Sequence, residues 1–285
     1  MNDGILDIDH VTCVVADPDA AGRQLQALGF SVAPLSVMAT AGVANRLVLF
    51  EPATVGVANF IELMGIVDRE RLPATLLPHL EGERGHRWLV LSGPDAAASV
   101  AALRQRGYGL GEPLPIRREL RLESGEVLRI AFDVAMPIEA PLPFNFCQYR
   151  TLEHYLHPSL LRHANGARSL TGLLCRSQQP EALLGYFETL FGRPRREHGD
   201  GLASVSPAAL ELLVATDAAW HDWLATALPA QRLHPHQVFG CRIRVDDLAA
   251  TAAWFAAHGV AGHACRLGLA VAAPVAELGL LVFHQ

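Results

Sequence analysis

The chain has 285 residues, 51% of them hydrophobic and 18% charged, with a formal net charge of −6. That balance supports a packed core and excludes a disordered chain, and the length suits one large domain or two ordinary ones. All 23 basic residues are arginine, and the densest stretch, "RRELRLESGEVLR", interleaves them with glutamate, so the sequence predicts no nucleic-acid partner.

The opening "MNDGILDIDH" is acidic and carries no basic segment ahead of an apolar one, which predicts no signal peptide. No apolar run reaches membrane-spanning length. From "ILDIDHVTCVVAD" onward the chain reads as a strand, then a helix over "PDAAGRQLQALGF" with Pro early and Gly29 as its stop. Three further strands follow in "SVAPLSV", "ANRLVLFE" and "VANFIELMGI", giving a βαβββ unit.

The same order recurs. "HRWLVLSG", "PDAAASVAALRQRGYG", the hairpin turning at Ser124-Gly125 and "LPFNFCQYR" make a second unit. "SLTGLLCRS", "QPEALLGYFETLFG", "RPRREHGDGLASVS" and "ALELLVAT" make a third. "FGCRIRVDD", "LAATAAWFAAHG", "HACRLG", "LAVAAP" and "LGLLVFHQ" make a fourth. The helices stop at Gly29, Gly107, Gly192 and Gly259. Short helical connectors are expected between units one and two and between units three and four. "TLEHYLHPSLLRHANGAR" separates the pairs, so the expected domains are 5–150 and 168–285. One helix per four strands, with no glycine-rich strand-to-helix turn, argues against a doubly wound parallel sheet.

Cys13, Cys147, Cys175, Cys241 and Cys265 never form a C-x-x-C pair, which predicts reduced, mostly buried thiols and a cytoplasmic location. "HVTCVVADPDAA" from His10 and "HRWLVLSGPDAA" from His86 place a histidine and a Pro-Asp-Ala-Ala at one offset of 76 residues. Chance in an alanine-rich chain is the plain account. Two histidines meeting in space is the functional one.

Paired βαβββ units of this length resemble the vicinal oxygen chelate superfamily, which includes glyoxalase I, bleomycin resistance proteins and extradiol dioxygenases. "DHVTCVVADPDAAGRQLQALGF", "NFIEL", "LPFNFCQY" and "HPSLLRHANGARSLTGLL" are similar to the glyoxalase-like domain family. The resemblance implies an α+β fold of four βαβββ modules forming two paired domains with curved mixed sheets. It implies a divalent metal (Zn, Ni, Mn or Fe) in the N-terminal cup, on His10, Glu62 and His86, with Gln148 or a residue next to it as the fourth ligand. No organic cofactor is implied.

Strand alternation sets Thr12 beside His10, Phe60 beside Glu62 and Trp88 beside His86, with Phe144 and Phe146 on the face of Gln148; these are the expected pocket walls. An amide at Gln148 cannot replace the glutamate that serves glyoxalase I as proton shuttle, so true glyoxalase I activity is not expected. The C-terminal half offers Gly172, Gly240 and Glu211 at the matching positions, which implies that it lacks the site. "HPS" at His157, with His154 and His163, "HPH" at His234–His236 and the hairpin arginines Arg117, Arg118 and Arg129 read first as caps, connectors and a solvated face.

Three readings stay open: a metal-dependent lyase, isomerase or dioxygenase-like enzyme for a small oxygenated molecule; a metal-free module that sequesters a ligand, as bleomycin resistance proteins do; and an assembly protein. A monomer or homodimer with a small-molecule partner, and with no membrane or nucleic acid, is expected.

Overall fold

A computed structural model describes residues 4–38, 40–226, 228 and 234–285. The first module is β1 (Asp7–Val14), α1 (Pro18–Ala27), β2 (Ser36–Met38), β3 (Val43–Leu49) and β4 (Phe60–Ile66). A short helix, α2 (Leu77–Leu80), leads to the second: β5 (Gly85–Ser92), α3 (Ala96–Gln105), β6 (Leu114–Arg121), β7 (Val127–Ile138) and β8 (Phe144–Tyr149). Two short helices, α4 (Leu152–Tyr155) and α5 (Pro158–Leu161), cross to the third: β9 (Ala167–Ser177), α6 (Pro180–Phe191), β10 (Arg196–Gly199), β11 (Leu202–Val205) and β12 (Glu211–Ala215). After α7 (Asp217–Leu224) comes the fourth: β13 (His236–Val245), α8 (Leu248–Ala257), β14 (Gly262–Cys265), β15 (Gly268–Ala272) and β16 (Leu280–His284).

The modules pair into two eight-stranded sheets, ordered β2-β3-β4-β1-β5-β8-β7-β6 and β10-β11-β12-β9-β13-β16-β15-β14. Each sheet is mixed. The first strand of a module lies parallel to its last, and the two first strands meet antiparallel at the sheet centre. This is the four-module α+β architecture expected from the sequence.

Local chemistry fixes the helix starts. Asp17, Asp95 and Asp247 cap α1, α3 and α8 by accepting from backbone N–H groups of the first turn, which otherwise lack partners. Gly29 and Gly107 end the first two helices with φ of 82° and 92°, in the left-handed region where a side chain would be strained.

One face of each sheet and the four long helices share a continuous apolar core. It holds Leu25 of α1, Val100 of α3, Phe187 of α6 and Phe255 of α8, with Val11 and Phe146 from the first sheet and Leu173 and Phe283 from the second. The halves are also tied by polar bonds. Asp7 accepts from the N–H groups of Ala209 and Leu210, and the Asn59 amide donates to Leu170 O while its oxygen accepts from Leu170 N.

The opposite faces differ between the halves. In the second sheet α7 lies on that face, where Trp220, Trp223 and Leu224 pack against Leu174, Leu213, Phe239 and Val282. In the first sheet the equivalent face forms a cup, with Leu76 from the connector and Tyr155 from α4 among its lining.

Candidate functional site

The cup encloses a cavity of about 140 Å³. Its walls are apolar: Met38, Val43 and Met64 on one flank, Trp88 and Val90 at the centre, and Ile116, Phe132, Val134 and Met136 on the other. Polar groups converge from β1, β3, β4, β6 and β8.

His10 and Glu62 are buried at 6% and 8% exposure, with His10 Nε2 3.7 Å from Glu62 Oε2. Glu62 accepts from Thr12 Oγ1 at 2.8 Å and from Asn45 Nδ2 at 2.6 Å, so each carboxylate oxygen already has a partner. The Asn45 oxygen accepts from Arg118 at 2.6 Å, and Arg118 also reaches Ser36 and the Tyr155 hydroxyl. Phe60 stacks on the His10 ring at 3.8 Å, with Tyr155 beyond it.

Behind His10 sits Asp9, fully buried. Its Oδ1 accepts hydrogen bonds from His10 Nδ1 at 2.5 Å and from the Tyr149 hydroxyl at 2.6 Å, and its Oδ2 accepts from Ala58 N. Asp9 is the extra residue of a β-bulge: Ile8 pairs with Leu91 and His10 with Val90, so β1 advances two residues against one. A bulge breaks alternation, which lets neighbouring Asp9 and His10 meet.

Burial opposes charge on both members of the His10–Glu62 pair. The bonds from Asp9 and Glu62 outweigh it at His10, holding the imidazole above its usual range; those from His10, Asn45 and Thr12 outweigh it at Glu62, holding the carboxyl below its own. Burial pushes the Cys147 thiol and the Tyr149 and Tyr155 hydroxyls up, so these stay neutral. The cup thus carries Asp9 and Glu62 against His10 and Arg118.

The expected ligand set is not brought together. His10 and Glu62 share the cup, but His86 faces away from it. A second bulge, at Arg87, pairs Thr12 with Trp88 but Cys13 with His86, which turns His86 to the side of Cys13 and the shared core. There His86 Nε2 meets Leu278 O of the second half at 3.2 Å.

Gln148 is also elsewhere. Its oxygen accepts from Ala96 N at 3.0 Å and its amide donates to Pro94 O, so it binds β8 to the start of α3. Phe144 and Phe146 share its face and are core residues, not cup walls. Asn145, Cys147 and Tyr149 are the β8 residues that line the cup. Of the expected walls, Phe60 and Trp88 line it, while Thr12 lies beneath Glu62.

The repeat explains this outcome. The capping aspartates Asp17 and Asp95, and the stops Gly29 and Gly107, are 78 residues apart, not 76. Trp88 is therefore the counterpart of His10. Thr12 pairs with Glu62 just as its counterpart Val90 pairs with Asn145, so Asn145 corresponds to Glu62. The four equivalent positions hold His, Glu, Trp and Asn.

Among the described residues no group of three or more His, Cys, Asp or Glu side chains converges as a metal would require. With both Glu62 oxygens engaged, this donor set does not fit the divalent metal that the resemblance implies, and no step is derived through one.

The remaining candidates are structural. His157 caps α5 by accepting from Ser159 N, His154 meets Arg129 O, and His236 meets Ser177. Arg117 and Arg129 are exposed, whereas Arg118 enters the cup. The signal for Arg118 lay in alternation with Ile116 and Leu120 along β6. In the second half Glu211 pairs with Ser204 and Arg242, and Gly172 and Gly240 lie on the central strands, on a sheet that α7 covers.

Two curved sheets of paired βαβββ modules, one with an open cup, define a protein of the vicinal oxygen chelate class. A family model described as the glyoxalase-like domain matches residues 8–191, about two thirds of the chain. The chain belongs to the glyoxalase-like domain family. The match runs through the whole first sheet and on to the end of α6, across the connector between the halves.

No curated protein matches the chain. Among solved structures, a hypothetical protein from Staphylococcus aureus superposes with a TM-score of 0.66 at 10% identity, covering 97% of this chain and 98% of its own. A variant of the Streptomyces coelicolor methylmalonyl-CoA epimerase, in complex with 2-nitronate-propionyl-CoA, matches at 19% identity and a TM-score of 0.38, over 50% of this chain and 96% of its own. A mutant 4-hydroxymandelate synthase from Streptomyces coelicolor matches at 14% identity and a TM-score of 0.49, over 91% and 76%. Among the described residues no helix is long and apolar enough to cross a membrane.

Proposed function

We propose that the N-terminal cup binds a small, largely apolar molecule bearing a carbonyl or hydroxyl oxygen, and that His10 and Glu62 move a proton on it. The observation that carries this reading is the buried chain Asp9–His10–Glu62 ending in a largely apolar cavity. Asp9 fixes the proton on Nδ1, so Nε2 is the nitrogen that faces Glu62 and the cavity.

The raised histidine pKa favours the protonated form of His10, which can donate to a substrate oxygen. Glu62 remains an ionised acceptor for a proton on the adjacent carbon. In the apolar cup each charge acts with little screening by water. The cavity size suits a small molecule rather than a macromolecule.

The test is hydrogen exchange. Straight-chain methyl ketones incubated with the protein in D₂O should lose α-protons, followed by proton NMR, faster than in buffer. Glu62→Gln should cut that rate by about 10²-fold or more while leaving ketone binding in place. The rate should fall as pH drops through the depressed Glu62 pKa and again as pH rises through the raised His10 pKa.

A second reading, sequestration without chemistry, is favoured by the hydrogen bonds on both Glu62 oxygens, which weaken it as a base. Ketones that bind but do not exchange would select it.

A further inference from the structure

The counterpart of Glu62 in the second module is a group whose hydrogen bonding is unmet. Asn145 lines the cavity and is 6% exposed, yet its Oδ1 has no hydrogen-bond partner among the described residues. An unsatisfied buried amide oxygen is destabilising, and a ligand group that donates to it would remove that cost. The two ends of a carboxamide exchange by rotation about its last bond, so either can face a ligand.

Position adds to this. Asn145 pairs with Val90, and Val90 with His10, so the three lie in one row across β8, β5 and β1. At about 4.8 Å per strand, His10 and Asn145 stand roughly 10 Å apart at the backbone. Between them lie Val90 and, one pair along, Trp88. The cup therefore has a polar pole at each end and an apolar floor between.

Charge sets a further condition. At one pole Asp9 and Glu62 are balanced by His10 and Arg118, and Asn145 is neutral. An ionised ligand would bring an uncompensated charge into a buried site.

We propose that the cup selects a neutral, elongated molecule with two polar ends: an acceptor oxygen at His10 and a hydroxyl, which both donates and accepts, at Asn145. This makes Asn145 the specificity-determining residue, and it rests on the binding part of the reading above. Arg118 stays with the first pole, held by Asn45, Ser36 and Tyr155.

The test uses a homologous series of straight-chain methyl ketones, each with and without a terminal hydroxyl, and the matching ω-oxo carboxylates, with affinities from titration calorimetry. At the best chain length the hydroxyl should raise affinity about tenfold in the native protein. Asn145→Leu should erase that preference, read as the ratio of hydroxyketone to parent-ketone affinity within the variant. Asn145→Ser, a milder change, should keep part of it. The carboxylates should bind more weakly than the hydroxyketones. Parent ketones that bind with no gain from the hydroxyl at any length overturn this proposal and leave the binding reading standing. Tighter binding of the carboxylates overturns the neutral-ligand part. If no ketone binds, with or without the hydroxyl, the binding reading falls and this proposal with it.

Discussion

His163, in the connector between the halves, shows how a single side chain is committed by its neighbours. Its Nδ1 accepts from Ser31 N at 3.0 Å, so its proton sits on Nε2 and is donated to Leu49 O at 2.9 Å. Burial, far more than any charge nearby, pushes its pKa down to about 4. The unfolded chain takes up this proton near the ordinary 6.5, the folded chain only near 4. Between those values the unfolded state binds more protons, so the stability His163 provides is full above pH 6.5 and is lost as pH falls toward 4. Urea midpoints measured across this window should fall more steeply for the native protein than for His163→Gln. Equal slopes would assign the acid sensitivity to other groups. His10 behaves differently: it is buried beside two carboxylates that hold its charge, whereas His163 is half-buried with none bonded to it among the described residues.

At the level of elements, α7 decides why two similar sheets differ in what they offer. The connector of the first half ends in α2 at the cup rim, whereas α7 lays two tryptophans across the second sheet. Trp220 is fully buried and its indole N–H donates to Cys175 O at 2.9 Å. Trp220→Ala should cost about 3–5 kcal/mol in urea denaturation, from lost burial and the cavity left behind. Ketone binding in the N-terminal cup should be unchanged. A loss below about 1 kcal/mol would mean that α7 adds little to the second sheet. The bulges act at the same scale. One residue added to β1 at Asp9 joins two acidic and basic neighbours into a dyad, and one added to β5 at Arg87 sends His86 to the opposite face.

Over the whole molecule, the halves share one core. Phe30 from the first half stacks on Phe283 from the second, and Arg106 at the end of α3 donates to Leu190 O of α6. Buried apolar surface held in common couples the unfolding of its owners. Far-ultraviolet circular dichroism reports both halves, and tryptophan fluorescence weighs the second, which holds Trp220, Trp223 and Trp254 against Trp88 in the first. The two signals should lose structure in one coincident urea transition. Two separated transitions would show that the sheets fold independently. The family match ends at residue 191, after β9 and α6 of the third module.

The sequence by itself determined the module order and the helix stops, and its family resemblance implied the curved mixed sheets and half of the site. Module order and stops depend on local chemistry: period-two alternation in strands and a glycine after a helix. Phe60 and Glu62 were legible because no bulge lies between them, whereas Trp88 lines the cup although the bulge at Arg87 separates it from His86, the residue that placed it. The true 78-residue repeat was also present, in the spacing of Gly29 and Gly107, though a shorter coincidence at His10 and His86 masked it. Only the tertiary structure decided that His86 leaves the cup, that Asn145 rather than Gln148 answers Glu62, that Asp9 backs His10 and that Arg118 turns inward. A bulge exists only relative to a paired strand, and register is settled by partners far away in the chain. One inserted residue reverses every side chain beyond it, and nothing in the local sequence records where that insertion falls.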